Sequence, residues 1–428
     1  NECERFKAVR NEIIRGHLVL LNCALQFGCS FERWQGTVNA LLEKDPGEPK
    51  VHRLRVIHLC EWDFNLILGV KWRQLLHRVC DHDLINPSCY GGMPGKTTLD
   101  PVFIREMEHE LCRLIRCPMI HFDNDAKSCY DRIPCFLANV ASRKYGQHAK
   151  VVVVQGRTLR QARYYLKTKF GVSEECVRHT QEMPWFGTGQ GSGNSPMCWL
   201  VISSTLFNIY QERATGGALC QSPDGSIEMK LHQLGFVDDV MNRTAMPWTI
   251  EQPEHALSGL IQQASQDSQL WHDILESANQ TLELSKCKHH VIHYDFKESG
   301  EPEVVVDRLP PRQLQVQDAQ GQPVTIGHVP NDKTIKCLGF HKCTANQSKQ
   351  KEVLKKKADD FARVIQCSPL NRKGAHTFYR GTHKLSVDCV LPITHFTFSE
   401  LNRIQAKAHG AFLSKCGCLR STKKAVQH

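Results

Sequence analysis

The sequence predicts an α+β fold, and three observations carry that reading. Apolar residues recur at helical spacing in several long stretches, while other stretches are short apolar runs flanked by Pro, Gly and Asp turns. The two kinds of element mix without the regular strand-helix-strand alternation that a parallel α/β sheet requires. With 428 residues and 41% apolar content, the chain can bury a sizeable core and is long enough for two or three lobes.

Residues 1–33 read as a helix, with Ile13, Ile14, Leu18, Leu21 and Leu25 near a helical period. The runs 37–44 and 51–59 are strand-like and flank DPGEP, so they predict a hairpin that brings Lys44 near Arg55. Helices are expected over Trp62–His82 and Pro101–Cys117, then a strand over 118–125 and a buried helix over 195–210. Residues 230–244 read as strand, tight turn, strand, with two aspartates at the turn. A helix around Ser265–Asn279 leads to a strand at 289–296, and 302–343 is strand-rich with a turn at 318–321. From Ser348 the pattern is helical, with Leu354, Ala358, Phe361 and Ile365 on one stripe, and Thr397-x-x-Glu400 predicts a capping box before a last helix.

Composition narrows the class. No stretch approaches the roughly 20 apolar residues of a membrane span; Met197–Phe207 comes nearest and contains Ser203, Ser204 and Thr205. No charged-then-apolar leader is seen, and a chain starting at Asn1 is expected to be a piece of a longer product. The 20 cysteines contain no C-x-x-C pair, which argues against a zinc ribbon or a disulfide scaffold and for reduced thiols in cytosol or nucleus. Cys416-x-Cys418 with His409 is half a zinc site without a fourth ligand. Residues 341–428 hold 17 Lys or Arg against 5 Asp or Glu, a net of +12 in a chain of net +10, so the preceding 340 residues sum to −2. A run such as Lys355–Lys357 is by itself a solvated helix face, but an excess across a whole lobe points to a polyanionic partner.

The chemistry concentrates at LGFVDDVMN, residues 234–242, where Asp238 and Asp239 sit in an apolar frame. Burial and mutual repulsion penalise such a pair unless cations or hydrogen bonds compensate. By contrast, Asp359-Asp360 lies in a Lys-rich helix and reads as solvated. A Mg2+ pair needs further oxygen ligands, and FDNDAKSCYDRI, residues 122–133, supplies three competing acids: Asp123, Asp125 and Asp131. Five residues beyond Asp123 stands Ser128, and five beyond Asp125 stands Tyr130, an aromatic that could lie beneath a nucleotide sugar and exclude a 2′-hydroxyl.

On these residues the chain resembles the reverse transcriptases. DAKSCYD (125–131) is similar to their motif A, and GFVDDV (235–240) to motif C, one residue from the usual FADD or YADD. Between them, FGTGQGSGNSPMCW (186–199) resembles motif B, whose glycines let backbone approach a nucleotide and whose Gln190 can hydrogen-bond a base or sugar. LLEKDPGEPKVHRLRVIHL resembles the fingers hairpin, with Val56 in place of the family's Pro after Arg55. NPSCYGGMPGKTTLD (86–100) resembles the Q-x-G-F-x-x-G-R-S/T segment with Cys89 in place of Gln, LELSKCK (282–288) resembles motif D, and KCLGFHKC (336–343) resembles the Leu-Gly turn that grips the primer. The style of motifs A, B and D is closest to non-LTR (LINE-type) retrotransposon enzymes.

The resemblance implies a right-hand polymerase: an N-terminal helical extension over 1–33, fingers over 34–117, a palm with an antiparallel sheet and finger insertions over 118–343, and a helical basic thumb over 344–428. It implies RNA-directed DNA synthesis with two Mg2+ ions about 3.5–4 Å apart, Mn2+ substituting, on Asp125, Asp238 and Asp239. Lys44 and Arg55 would hold the triphosphate, Tyr130 would be the steric gate, Gln190 and Gly191 would contact the nucleotide, and Lys286 would sit near the leaving pyrophosphate. Implied partners are an RNA template, a DNA primer and dNTPs, with no membrane and with other retroelement domains possible up- or downstream; the resemblance favours the nucleus. Two rivals stand: an RNA-dependent RNA polymerase, which Tyr130 would obstruct, and a degenerate scaffold that binds RNA without catalysis. Three decoys fall away. Gly91–Thr97 has three residues between its glycines where a P-loop needs four. HHVIH (289–293) puts neighbouring histidines on opposite strand faces and reads as a polar strand face. The last 88 residues have too few acids for an RNase H.

Overall fold

A computed structural model describes residues 2–44, 47, 50, 54–127, 129–181, 187–221, 226, 228–245, 253–306 and 313–417. Most of the hairpin turn at 45–49, residues 51–53, Ser128, Phe186 and Cys418 therefore lie outside the described residues. The elements run α1 (Glu2–Phe27), β1 (Gly36–Glu43), β2 (Leu54–Leu59), α2 (Trp62–Asp81), α3 (Leu99–Ile115), β3 (Met119–Asp125), α4 (Cys129–Arg132), α5 (Cys135–Lys144), α6 (Ala149–Arg160) and β4 (Arg163–Thr168). They continue through β5 (Gly171–Val172), β6 (Val177–Arg178), α7 (Ser195–Arg213), β7 (Ala218–Gln221), β8 (Glu228–Leu231), β9 (Gln233–Phe236), β10 (Asp239–Ala245), α8 (Pro253–Ser277), β11 (Lys288–Ile292), β12 (Tyr294–Phe296) and β13 (Pro302–Val304). The C-terminal part holds β14 (Gln315–Gln317), β15 (Pro323–Thr325), β16 (Gly327–His328), β17 (Ile335–Cys337), β18 (Phe340–Lys342), α9 (Ser348–Cys367), α10 (Arg372–Phe378), α11 (Leu385–Asp388) and α12 (Phe398–Lys415). Helices and largely antiparallel strands mix as the sequence predicts.

Two sheets organise the first 340 residues. The hairpin of β1 and β2 forms with Leu42 opposite Arg55, and the chain returns at 163–178 to add β4 in parallel to β1, with β5 and β6 beyond. The central sheet has the order β16-β11-β3-β10-β9, antiparallel except for β11 with β16. Alternation along its strands separates two chemistries. On one face Phe122 joins the main apolar core with α7 and α8, and Asn124 accepts a 3.1 Å hydrogen bond from the Trp271 indole of α8. Phe207, Tyr210 and Trp271 pack edge to face there at 5.5–5.7 Å, an arrangement worth about 0.5–1.5 kcal/mol per pair beyond burial. The opposite face carries Asp123 and Asp125 on β3, with Asp239 and Arg243 on β10.

That second face is braced by α3 through buried charge. Arg243 Nε lies 2.6 Å from Glu108 Oε1, and His121 Nε2 lies 3.3 Å from the other Glu108 oxygen, all three residues being almost wholly buried. Arg105 donates to Asp123 at 2.9 and 3.2 Å, and His290 Nε2 reaches the same carboxylate at 3.1 Å. His289 and His290 do fall on opposite faces of β11, but both are buried, so the expectation of a polar strand face gives way to two core histidines.

A separate apolar cluster holds the C-terminal helices together, with Leu354, Ala358, Phe361 and Ile365 of α9 packed with Ile404 and Ala408 of α12. The Thr397–Glu400 capping box is present, and Lys351 ties α9 to Glu400 at 3.0 Å. Some expectations need correcting. Lys230 and Leu231 belong to a β7–β8 ribbon and not to the strand before the paired aspartates. The helix expected around Ser265 begins at Pro253. In α1, Ile13, Ile14 and Leu18 are exposed, whereas Leu21 and Ala24 in the final turns are buried.

Candidate functional site

The turn bearing the paired aspartates is shaped by neighbours that leave no room for alternatives. β9 ends at Phe236 and β10 begins at Asp239, so Val237 and Asp238 form a two-residue connection. Val237 adopts φ +61°, a left-handed conformation that costs a β-branched residue of order 1–3 kcal/mol. Two contacts hold it. The Trp199 indole donates to the Val237 carbonyl at 2.6 Å, and Gly91 lies against the Val237 backbone so closely that any Cβ would overlap it. The segment carrying Gly91 also pairs with β9, Tyr90 N–H donating to Gly235 and Gly235 N–H to Ser88. The stretch that tempts a P-loop reading is thus a buttress for the turn.

Register then brings the acids together. Asp239 stands directly opposite Asp125 in the β10–β3 ladder. Burial, then repulsion from Asp238, Asp125 and Asp123, pushes the Asp239 carboxyl up to about 6, although its side chain keeps contact with solvent. Burial is also the main cause raising Asp238, with Asp125 adding to it and Arg55 opposing it. Asp123 behaves differently: Arg105 and His290 hold its carboxyl well below the usual range despite burial, which marks it as a structural ion-pair member. Of the three acids that compete in the sequence, Asp125 is the one that meets Lys286, whose ammonium lies 3.1 Å away. Asp131 is raised by burial, against the pull of Lys44.

One cavity of about 930 Å³ gathers Lys44, Arg55, Asp125, Tyr130, Gln190, Gly191, Asp238 and Lys286. These residues come from five separate stretches of chain. Asp239 faces an adjoining cavity of about 640 Å³, which Asp125 and Lys286 also line, together with Leu338. Leu338 and Gly339, at φ +47° and +90°, make the two-residue turn between β17 and β18, the left-handed pair that suits such hairpins. Tyr130 sits with its ring centre 6.3 Å from that of Trp199. Gly191 has φ +106°, and a Cβ there would come within 2.6 Å of the His58 carbonyl of β2. The close approach that this glycine permits is therefore to the hairpin, reinforced by His58 N–H donating to the Gln190 carbonyl at 2.6 Å.

Glu283 lines the same cavity and was not singled out from the sequence, although it lies within the quoted LELSKCK. Its N–H donates to the Asp125 carbonyl at 2.9 Å and its carboxylate lies 3.6 Å from Lys127; an isolated antiparallel bridge of Leu282 with Ala126 fixes this stretch at the end of β3, and the turn after it carries Lys286 to Asp125. Among the described residues no three His, Cys, Asp or Glu side chains are close enough to form a closed metal cage. The donor set is nevertheless all carboxylate oxygen, mutually repelling and open to a large cavity. That chemistry fits a hard divalent cation that keeps some ligand positions for water and phosphate. Among the described residues Cys416 belongs to no such group either, and His409 stands among aromatic rings of the last helices.

No protein-family model matches the chain, and no curated protein matches it. Solved structures of telomerase overlay on it in part. Apo telomerase from Candida tropicalis truncated from its C-terminal domain shows 14% identity and a TM-score of 0.36, over 65% of this chain and 53% of that one. Telomerase from Candida tropicalis in complex with a TWJ fragment of telomeric RNA shows 12% identity and a TM-score of 0.43, over 96% and 67%. The Candida albicans enzyme with a TWJ fragment shows 12% and 0.39, over 90% and 59%. The chain thus spans between about half and two thirds of these proteins. Likeness at this level carries no argument about function, and the fold described here stands on its own strand pairing.

Proposed function

We propose that the chain is an RNA-directed DNA polymerase that extends a DNA primer by nucleotidyl transfer. The observation that supports this most is the single cavity in which Asp125, Asp238, Lys44, Arg55, Lys286, Tyr130 and the Gln190-Gly191 turn converge from distant stretches. In this reading the hairpin sheet is the fingers, the central sheet is the palm and the C-terminal helices are the thumb.

Arg55, as a planar fork, and Lys44, as a point charge, would hold the β- and γ-phosphates of a dNTP. Gln190 would hydrogen-bond the base or sugar through its amide, and Gly191, packed against β2, would hold that turn at the nucleotide's edge. Tyr130 would lie beneath the sugar and exclude ribonucleotides. The primer 3′-hydroxyl would attack the α-phosphorus in line, with pyrophosphate leaving toward Lys286, whose ammonium would screen the departing charge. Mg2+ or Mn2+ held by Asp125, Asp238 and Asp239 would acidify the attacking hydroxyl and neutralise the triphosphate. The net +12 of residues 341–428 suits a lobe that tracks nucleic-acid backbone without reading bases. A non-LTR retroelement origin, fused partner domains and a nuclear site of action rest on the style of the motifs alone.

A second reading is an RNA-binding scaffold without catalysis, favoured by the Lys286–Asp125 ion pair and the absence of a closed three-acid cage among the described residues. Primer extension separates the readings: a DNA primer on an RNA template with Mg2+, dNTPs against rNTPs, wild type against Asp238→Asn. Extension with dNTPs that the variant loses supports the polymerase. Equal inertness supports the scaffold, and preference for rNTPs supports an RNA-dependent RNA polymerase.

A further inference from the structure

A second cavity, of about 620 Å³, lies among α1, α2 and the junction of α5 with α6, and shares no lining residue with the carboxylate cavity. We propose that it is a binding site for a phosphate group. Lys71, Arg78, Arg143 and Lys150 line it, and no Asp or Glu does, although the first 340 residues sum to a net −2. Among the described residues none of these four cations is paired with a carboxylate. The two arginines are held in place by the turn itself, Arg78 donating to the Gly146 carbonyl at 3.2 Å and Arg143 to the Gln147 carbonyl. Each guanidinium has five N–H groups, so most of its donors are left for a ligand.

Gln147 supplies the independent sign that something belongs there. Its side chain is only 4% exposed and lines the cavity, its Oε1 accepts from His148 N–H at 3.0 Å, and its Nε2 has no hydrogen-bond partner. Since the oxygen is committed to that backbone N–H, the orphaned atom is a donor, and a buried donor without an acceptor is destabilising. It therefore calls for an anionic oxygen, beside four cations and at the positive end of the 12-residue helix α6. A tetrahedral oxyanion with several acceptors answers all of these groups at once, as a phosphodiester of a nucleic-acid strand or as free phosphate.

The test uses the full chain without divalent cations, which separates it from polymerisation, and compares wild type with Lys71→Gln/Lys150→Gln and with Gln147→Glu. The last variant keeps the acceptor for His148 N–H and removes the donor; thermal melting confirms that each variant folds. Binding of a fluorescent single-stranded RNA is followed by anisotropy over a salt series, and inorganic phosphate is titrated by calorimetry. If the ligand is a strand, the lysine pair lowers the slope of log K against log salt by about two, and Gln147→Glu weakens RNA binding. If the ligand is the free ion, phosphate binds wild type and both variants lose it, with RNA binding unchanged. Unchanged RNA affinity and slope, together with no phosphate binding by wild type, would overturn the proposal.

Discussion

Replacing Arg243 by methionine should expose how the acidic strand is held. The Arg243–Glu108 pair is 2.6 Å apart with both side chains almost fully buried, and Arg243 also donates to the Gln233 carbonyl at 3.2 Å. Removing one partner of such a pair costs about 3–5 kcal/mol, because a charge is left in low dielectric, whereas replacing both with apolar side chains is about neutral. Arg243→Met should fall in that range in urea unfolding followed by tryptophan fluorescence, and Glu108→Met/Arg243→Met should recover most of it. The sign with pH follows from Glu108. Burial already raises its carboxyl above the ordinary value, and loss of Arg243 raises it further. Between the unfolded and folded pKa the folded state binds more protons, so stability falls as pH rises. The deficit of Arg243→Met should thus be larger at pH 8 than at pH 5. A loss below about 1 kcal/mol, or one equal at both pH values, would refute the reasoning.

Gly235→Ala places a Cβ into the Phe207 ring, and overpacking of this kind should destabilise by about 1–3 kcal/mol, checked by the same unfolding assay. Tyr130→Ala should relax discrimination between dNTP and rNTP in single-nucleotide incorporation; unchanged selection would remove Tyr130 from the gate. Asp239, raised to about 6 by burial and its neighbouring carboxylates, should make the metal-free protein less stable as pH rises from about 4 to above 6. Asp239→Asn should then melt higher than wild type at pH 7 and alike at pH 4, read by thermal denaturation without divalent ions.

Much of the site was legible because its chemistry needs particular residue types at particular turns. The strand-turn-strand around Asp238, the hairpin carrying Arg55 and the Leu338-Gly339 turn each announce themselves by local pattern. Other parts were hidden by competing signals. The run Val151–Val154 reads as β-branched, yet it lies in α6, where burial of Val151, Val152 and Val154 against neighbouring helices overrides propensity. Nothing in the sequence marks Glu108, Arg105, His121 and Arg243 as buried, since such residues are seldom buried unless paired, and pairing across α3, β3 and β10 is not local information. In the sequence Gly191 reads as room for a nucleotide, whereas in the structure its backbone is pressed against β2.

Divalent-cation binding tests the central claim most directly. Mn2+ binding followed by electron paramagnetic resonance, with primer-template and a dNTP present, should show bound ions in the wild-type chain that Asp125→Asn and Asp238→Asn each lose, with weaker binding below pH 6 as Asp239 takes up a proton. Mn2+ bound equally by wild type and both variants would mean that these aspartates do not share a cation, and would contradict the account.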